Sequence, residues 1–123
     1  MEQLNRKFYD DFAEVLEQEP ILNPWFTREN LLLALSGIAS MLEQEALKSW
    51  LERYEIKPLS PGTEKTVGLV LAGNIPLVGF HDLLAVLASG NRALAKTSSK
   101  DDRLIRELAT ILSAIDPELW PKG

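Results

Sequence analysis

The chain has 123 residues, 46% of them hydrophobic and 25% charged, which predicts a soluble globular protein rather than a disordered one. Its net charge of −5 and its scattered basic residues argue against a nucleic-acid partner, because proteins that bind phosphate backbones concentrate Lys and Arg on one face. Neither a signal peptide nor the roughly 20 consecutive apolar residues of a membrane span can be recognised, so we expect no membrane span and a cytoplasmic location.

The first part of the chain has the apolar spacing of helices. Apolar side chains at three- and four-residue steps predict an amphipathic helix over residues 4–18, ended by Pro20. Thr27 is the expected N-cap of a second helix, and the same spacing over 43–54 predicts either a separate short helix or an extension. A Pro- and Gly-containing break follows, so residues 1–58 are expected to form a helical N-terminal arm.

After this break the pattern changes to strands alternating with helices, over residues 63–123. The run TVGLVL lacks polar alternation, as expected for a strand covered on both faces, and Pro76 suits the first position of a helix. The expected elements are a strand over 66–71, a helix from Pro76 to the stop at Ser89-Gly90, a strand over 92–96, and a helix capped by Ser98 or Ser99 and ended by Pro117.

The fold class is therefore α/β, a helical N-terminal arm followed by the β-α-β-α start of a parallel-sheet, nucleotide-binding (Rossmann-like) domain. Two strands joined by a crossover helix lie parallel. A sheet of two parallel strands leaves both edges open, so we expect that the chain is part of a larger α/β protein or self-associates through an exposed edge.

Candidate site residues follow the two expected strands, whose carboxyl ends share one edge of the sheet. Gly73 allows a ligand to approach the backbone. Asn74 offers a side-chain amide beside the helix that Pro76 opens, where a developing oxyanion would be stabilised. Lys96 presents a cation to a ribose or phosphate, with Ser99 on the loop beyond it.

Structural interpretations of the same residues remain open. A Gly-Asn pair after a strand is often only a turn, a lysine at a strand end is often only a solvated charge, and serines often only cap helices. His81 and Asp82 could form a buried pair or face the cleft. The three tryptophans are expected to be packing residues. With no cysteine and a single histidine, no metal site is expected.

The run VGLVLAGNIPLVGFHDLLAVLASGNRALAKTSSKD resembles the long-chain acyl-CoA reductases of the bioluminescence fatty-acid reductase type, which belong to the aldehyde dehydrogenase superfamily. The segments NPWFTRENLLLAL and LKSWLERY resemble the helical lead-in of the same family. The likeness covers about residues 23–116, and the combination of A-G-N-I-P, H-D-L-L, S-G-N and A-L-A-K-T-S-S is more specific than any one of these motifs.

The resemblance implies roles for the candidate residues. Asn74 would be the side-chain donor to the thiohemiacetal oxyanion, and Lys96 would bind the adenosine ribose of the cofactor. Many NAD-using relatives carry a Glu three residues after this lysine, and the chain has Ser99 there, followed by Lys100. The missing negative charge favours NADPH over NADH. The expected cofactor-binding residues are Gly73, Lys96, Ser98, Ser99 and Lys100.

The reaction of the family starts from an acyl-CoA or other acyl thioester and proceeds through an acyl-cysteine intermediate to an aldehyde. Because the chain has no cysteine, it is expected to lack the nucleophile, to be inactive alone, and to be a truncation of the parent enzyme. Two alternatives stay open. One is another aldehyde dehydrogenase relative, such as a γ-glutamyl phosphate reductase; the other is a small non-enzymatic α/β interaction module.

Overall fold

A computed structural model of the chain describes residues 2–116, with burial and side-chain contacts described from residue 9 onward. It is a mixed α/β fold, as expected. The elements are α1 (Glu2–Leu22), α2 (Arg28–Met41), α3 (Gln44–Leu51), β1 (Thr66–Val70), α4 (Phe80–Ala88), β2 (Arg92–Lys96) and α5 (Arg103–Ile115).

The first helix continues through Pro20, so the expectation that this proline ends it is wrong. A proline inside a helix removes one hydrogen bond and crowds the preceding turn, but the loss is tolerable this close to a helix end. The Asn23 N–H donates to the Glu19 carbonyl at 2.8 Å, which completes the last turn. Three half-buried residues of α1 pack on the core: Phe12, Val15 and Leu16. The side chains of residues 4–8 of the expected helix lie outside those described.

The second helix begins as the sequence predicts. The Thr27 hydroxyl accepts the Asn30 N–H at 3.2 Å, which satisfies one of the donors that every helix start leaves open. Leu42 ends α2, and α3 is a separate helix rather than an extension. Leu31 and Ile38 are buried in α2, whereas among the described residues of α3 none is buried.

The two strands are parallel, and within the described residues they are the whole sheet. The register runs from Thr66 opposite Arg92 to Val70 opposite Lys96, and β2 has the bounds expected from the sequence. Helix α4 packs on one face of both strands. On the other face Val70 is 86% and Leu94 69% exposed, so the expectation that the first strand is covered on both faces is wrong.

The segment between β1 and α4 is a series of turns. Pro76 lies in these turns, and the helix begins only at Phe80, so the prediction of Pro76 as the first helical residue is wrong. Leu77 has a positive φ of 58°, which a helix cannot continue. The helix ends where the sequence predicts, with Ser89 as C-cap and Gly90 at φ 80°.

The last helix has Asp102, not Ser98 or Ser99, at its N-cap position. The serines fail as caps because Ser98 belongs to the preceding loop, where its carbonyl accepts the Asp101 N–H at 3.2 Å. Leu104 and Ile105 are the buried residues of α5. The expected stop at Pro117 lies outside the described residues.

The core joins the helical arm to the α/β part, and the division proposed at residues 58–63 stays a prediction. Among the described residues, the fully buried side chains with the largest volumes are Phe26, Leu31, Leu83 and Leu104. Trp25 is 81% exposed, so the expectation that it packs inside is wrong, and Trp120 lies outside the described residues. Between residues 2 and 116, no helix combines the length and apolarity that crossing a membrane requires.

We predict opposite effects for two glycine-to-alanine changes. Gly90→Ala places a Cβ on a left-handed residue and lowers the free energy of unfolding by about 1 kcal/mol. Gly37→Ala, in α2 with open space around it, raises this free energy by about 0.5–1 kcal/mol because alanine is the better helix former. Urea unfolding of both variants checks the prediction, and effects of the same sign contradict it.

Candidate functional site

The loops after β1 and β2 meet at the carboxyl edge of the sheet. The Leu71 N–H donates to the Lys96 carbonyl at 3.0 Å, which extends the pairing one residue beyond the strand. A Cβ built on Gly73 would overlap Ser98 Oγ and would lie 3.2 Å from Lys100 Cβ. Only glycine leaves room for so close an approach. The structure therefore brings together the two groups of residues that the sequence places at one edge.

Asn74 follows this contact and its side chain is exposed. The expectation that it lies next to the first residue of a helix is wrong, because residues 75–79 separate it from Phe80. The helix dipole acts mainly within the first turn, so it no longer supports a role of Asn74. The side-chain amide itself remains open to a ligand.

The loop after β2 presents most of its polar side chains to solvent. Lys96, Ser99 and Lys100 are exposed, whereas Ser98 is half-buried against Gly73. Ser98 Oγ accepts the Lys100 N–H at 3.2 Å. The Asn23 side chain, which follows α1, donates to the Lys100 carbonyl at 2.9 Å. The loop backbone is thus held from both sides while its lysines and one serine hydroxyl stay accessible.

Asp101 is the residue that the sequence analysis missed. Its side chain points to the loop after β1, and its Oδ2 accepts the Leu77 N–H at 2.7 Å. The residue is 4% exposed, and burial raises the pKa of its carboxyl group. Nothing in the K-D-D sequence distinguishes Asp101 from Asp102, so no local signal could have identified it.

Asp102, the next residue, has the opposite environment. Its Oδ1 accepts hydrogen bonds from the Thr97 hydroxyl and from Arg106 Nε, the latter at 2.6 Å. These bonds lower the pKa of the Asp102 carboxyl group, with the Thr97 hydroxyl as the larger cause. The negative charge of Asp102 is therefore partly neutralised by Arg106, which lies on the helix that follows it.

Glu19 is a third acidic residue near Asp101 and Asp102. It lies on α1, which packs against α5. The residue is 4% exposed, and burial raises the pKa of its carboxyl group. The charge of Arg103 acts in the opposite direction, while the negative charges of Asp101 and Asp102 raise the pKa further. The acids behind the two loops are thus withdrawn from solvent or paired.

His81 and Asp82 are both exposed, so the buried pair considered from the sequence is not formed. The His81 ring lies 6.0 Å from the Trp50 ring, centroid to centroid. Neither residue is hydrogen-bonded to the two loops in the part of the chain that the structure describes.

The exposed groups at this edge are two cationic side chains, one hydroxyl and one amide, backed by acids that are buried or paired. This arrangement suits an anionic ligand that carries hydroxyl groups. Over residues 9–116, His, Asp and Glu side chains form no group of three that could hold a metal ion.

Comparison with protein families gives one match of direct relevance. The model of the family described as Acyl-CoA reductase (LuxC) matches residues 3–120, nearly the full chain. No curated protein and no solved structure matches the chain. The family match confirms the resemblance drawn from the A-G-N-I-P and A-L-A-K-T-S-S motifs.

The buried Glu19 predicts a pH-dependent stability. Its pKa is raised in the folded state above the ordinary 4.5, so the protonated form favours folding and the contribution is lost as pH rises through the folded pKa. Glu19→Gln removes this loss, so the stability of the variant relative to the parent increases as pH rises above about 4.5. Urea unfolding between pH 4 and 8 measures it, with the exposed Glu17→Gln as control. A difference that stays constant with pH contradicts the assignment.

Proposed function

Because the chain belongs to the acyl-CoA reductase (LuxC) family, we propose that its two loops bind NADPH and the reacting carbonyl of a fatty acyl thioester. The enzyme reduces this thioester to an aldehyde through an acyl-cysteine intermediate. The chain contributes the helical arm and the first part of a Rossmann-like nucleotide-binding domain.

The observation that carries this proposal is the close contact between Gly73 and Ser98. It fixes the loop of Asn74 beside the loop of Lys96 and Lys100, at the edge where parallel sheets bind ligands. A carbonyl-binding group and cofactor-binding groups need this proximity, because hydride transfer requires the two reactants side by side.

The donors at the edge fit the cofactor that we propose. Lys96 and Lys100 are exposed cations, and Ser99 stands where a carboxylate would repel a 2′-phosphate. The remaining acids do not compensate these charges, since Asp101 is buried and Asp102 is bonded to Thr97 and Arg106. The bound cofactor supplies the hydride, and these residues hold and orient it.

Asn74 acts on the substrate side of the same edge. When a thiolate adds to the thioester carbonyl, the carbonyl oxygen becomes negatively charged, and a fixed amide N–H donor stabilises that charge more than it stabilises the ground state. The CoA thiolate then leaves, and the acyl group stays on the cysteine until hydride transfer releases the aldehyde. The Asn74 amide is accessible for this role.

The nucleophile itself comes from outside these residues, because the chain has no cysteine. Residues beyond this chain, or a second chain, supply it. In the part of the chain that the structure describes, the sheet has two open edges and a face on which Val70 and Leu94 are exposed, and this surface serves self-association or covering by further strands. A cytoplasmic location is consistent with the substrate and cofactor proposed.

We predict that Asn74→Ala in the complete reductase lowers kcat for a fatty acyl-CoA by about a hundredfold or more, because one oxyanion donor is lost. The KM for NADPH changes little, since the amide does not bind the cofactor. Aldehyde formation and NADPH consumption measure the effect, and Asn30→Ala in α2 is the matched control. Unchanged turnover of Asn74→Ala contradicts the role, and a parent enzyme without acyl-CoA reduction contradicts the function as a whole.

We predict that Ser99→Glu weakens NADPH binding by about tenfold, equivalent to about 1.4 kcal/mol, and shifts the preference towards NADH. The new carboxylate repels the 2′-phosphate and accepts hydrogen bonds from ribose hydroxyls. Fluorescence titration with both cofactors measures the ratio, and Ser60→Glu places the same charge in an exposed segment as control. Tighter NADH than NADPH binding by the parent, or an unaltered ratio in Ser99→Glu, contradicts the assignment.

A further inference from the structure

Asp101 connects the two loops of the proposed site. Its Oδ2 accepts the N–H of Leu77, in the loop that carries Asn74, at 2.7 Å. Its own N–H donates to the Ser98 carbonyl at 3.2 Å, within the loop that carries the lysines. The residue is 4% exposed, so solvent competes little for these bonds.

Leu77 occupies a backbone conformation that leucine rarely adopts. Its φ is 58°, in the left-handed region where a Cβ crowds the following carbonyl. A residue stays in this region only when its surroundings determine it. Burial of the Leu77 side chain and the bond from its N–H to Asp101 supply that determination. The turn that leads from Asn74 to α4 therefore depends on an acid from the other loop.

We propose that Asp101 is a positioning residue of the reductase, which holds the Asn74 loop in register with the Ser98–Lys100 loop through the Leu77 N–H. The inference rests on the function proposed above for these loops. Asp101 touches neither substrate nor cofactor. It determines where the Asn74 amide stands relative to the bound cofactor, and a misplaced donor loses most of its effect on the transition state.

The charge state of Asp101 decides how strongly it holds Leu77. A carboxylate accepts an N–H bond more strongly than a protonated acid does. The charged groups that act on it are Glu19 from α1 and the adjacent Asp102. Burial and the Asp102 charge raise the pKa of Asp101, and the bond from the Leu77 N–H acts in the opposite direction. The Oδ1 atom has no hydrogen-bond partner among the described residues. We call the hydrogen bond from the Leu77 N–H to Asp101 Oδ2 the clamp. Acidification is expected to weaken the clamp at a pH above that at which an exposed aspartate would titrate.

The test compares Asp101→Asn with Asp101→Ala in the complete reductase. The asparagine keeps a carbonyl acceptor for Leu77, so kcat stays within about threefold of the parent. The decrease of kcat at acidic pH that protonation of Asp101 causes is absent from this variant. The alanine removes the acceptor, so kcat falls by about tenfold to a hundredfold with a smaller change in the KM for NADPH. Ile38→Ala, a buried change in α2, is the control for lost stability alone. Equal kcat in Asp101→Ala and Ile38→Ala, or equal loss in both Asp101 variants, overturns the proposal.

A second measurement needs neither activity nor the alanine variant. The amide proton of Leu77 in the ¹⁵N-labelled 123-residue chain is expected to move downfield as pH rises, with a midpoint above 3.8, and to lose this titration in Asp101→Asn. A Leu77 amide shift that is independent of pH overturns the clamp. If the clamp is present and the parent reductase does not reduce acyl-CoA, the proposed function fails and the positioning contact stands by itself.

Discussion

The contact between Gly73 and Ser98 is the constraint on which the site depends. Parallel pairing of β1 and β2 brings the ends of the strands together, and the glycine lets the loops that follow touch. Any side chain at Gly73 would overlap Ser98, so the loops would separate or the pairing beyond the strands would break. The hydrogen bond from the Leu71 N–H to the Lys96 carbonyl shows how closely the backbones run at this point. The positions of all the candidate residues follow from it.

The acids around these loops are arranged so that the exposed edge is cationic. Asp101 and Glu19 are buried, and Asp102 is held by Thr97 and Arg106. Lys96 and Lys100 keep their charges in solvent at the same edge. The chain as a whole is acidic, with a net charge of −5, so binding of an anionic cofactor depends on this local separation of charge rather than on composition.

Features that depend on nearby residues could be predicted from the sequence, and features set by distant contacts could not. The Thr27 cap, the β2 strand and the stop at Gly90 each follow from a few adjacent residues. The start of α4 does not, because an acid that lies 24 positions away binds the Leu77 N–H and overrides the preference of Pro76 for a helix start. The candidate site residues could be predicted from the order of the strands and from the family resemblance. The bond between Asp101 and the Leu77 N–H could not, because it joins residues that are distant in the sequence.

The same distinction explains why β1 differs from its expected environment. The run TVGLVL lacks polar alternation and therefore predicts a strand covered on both faces. Within the described residues, α4 covers only one face of this strand. The exposed Val70 stands opposite Lys96 in the register, next to the proposed cofactor edge. Val70 and Leu94 share this exposed face with Thr66, Arg92 and Lys96, so the face is apolar only in part. The face leads to Lys96, at the edge where the proposed reaction needs a cysteine that this chain does not contain.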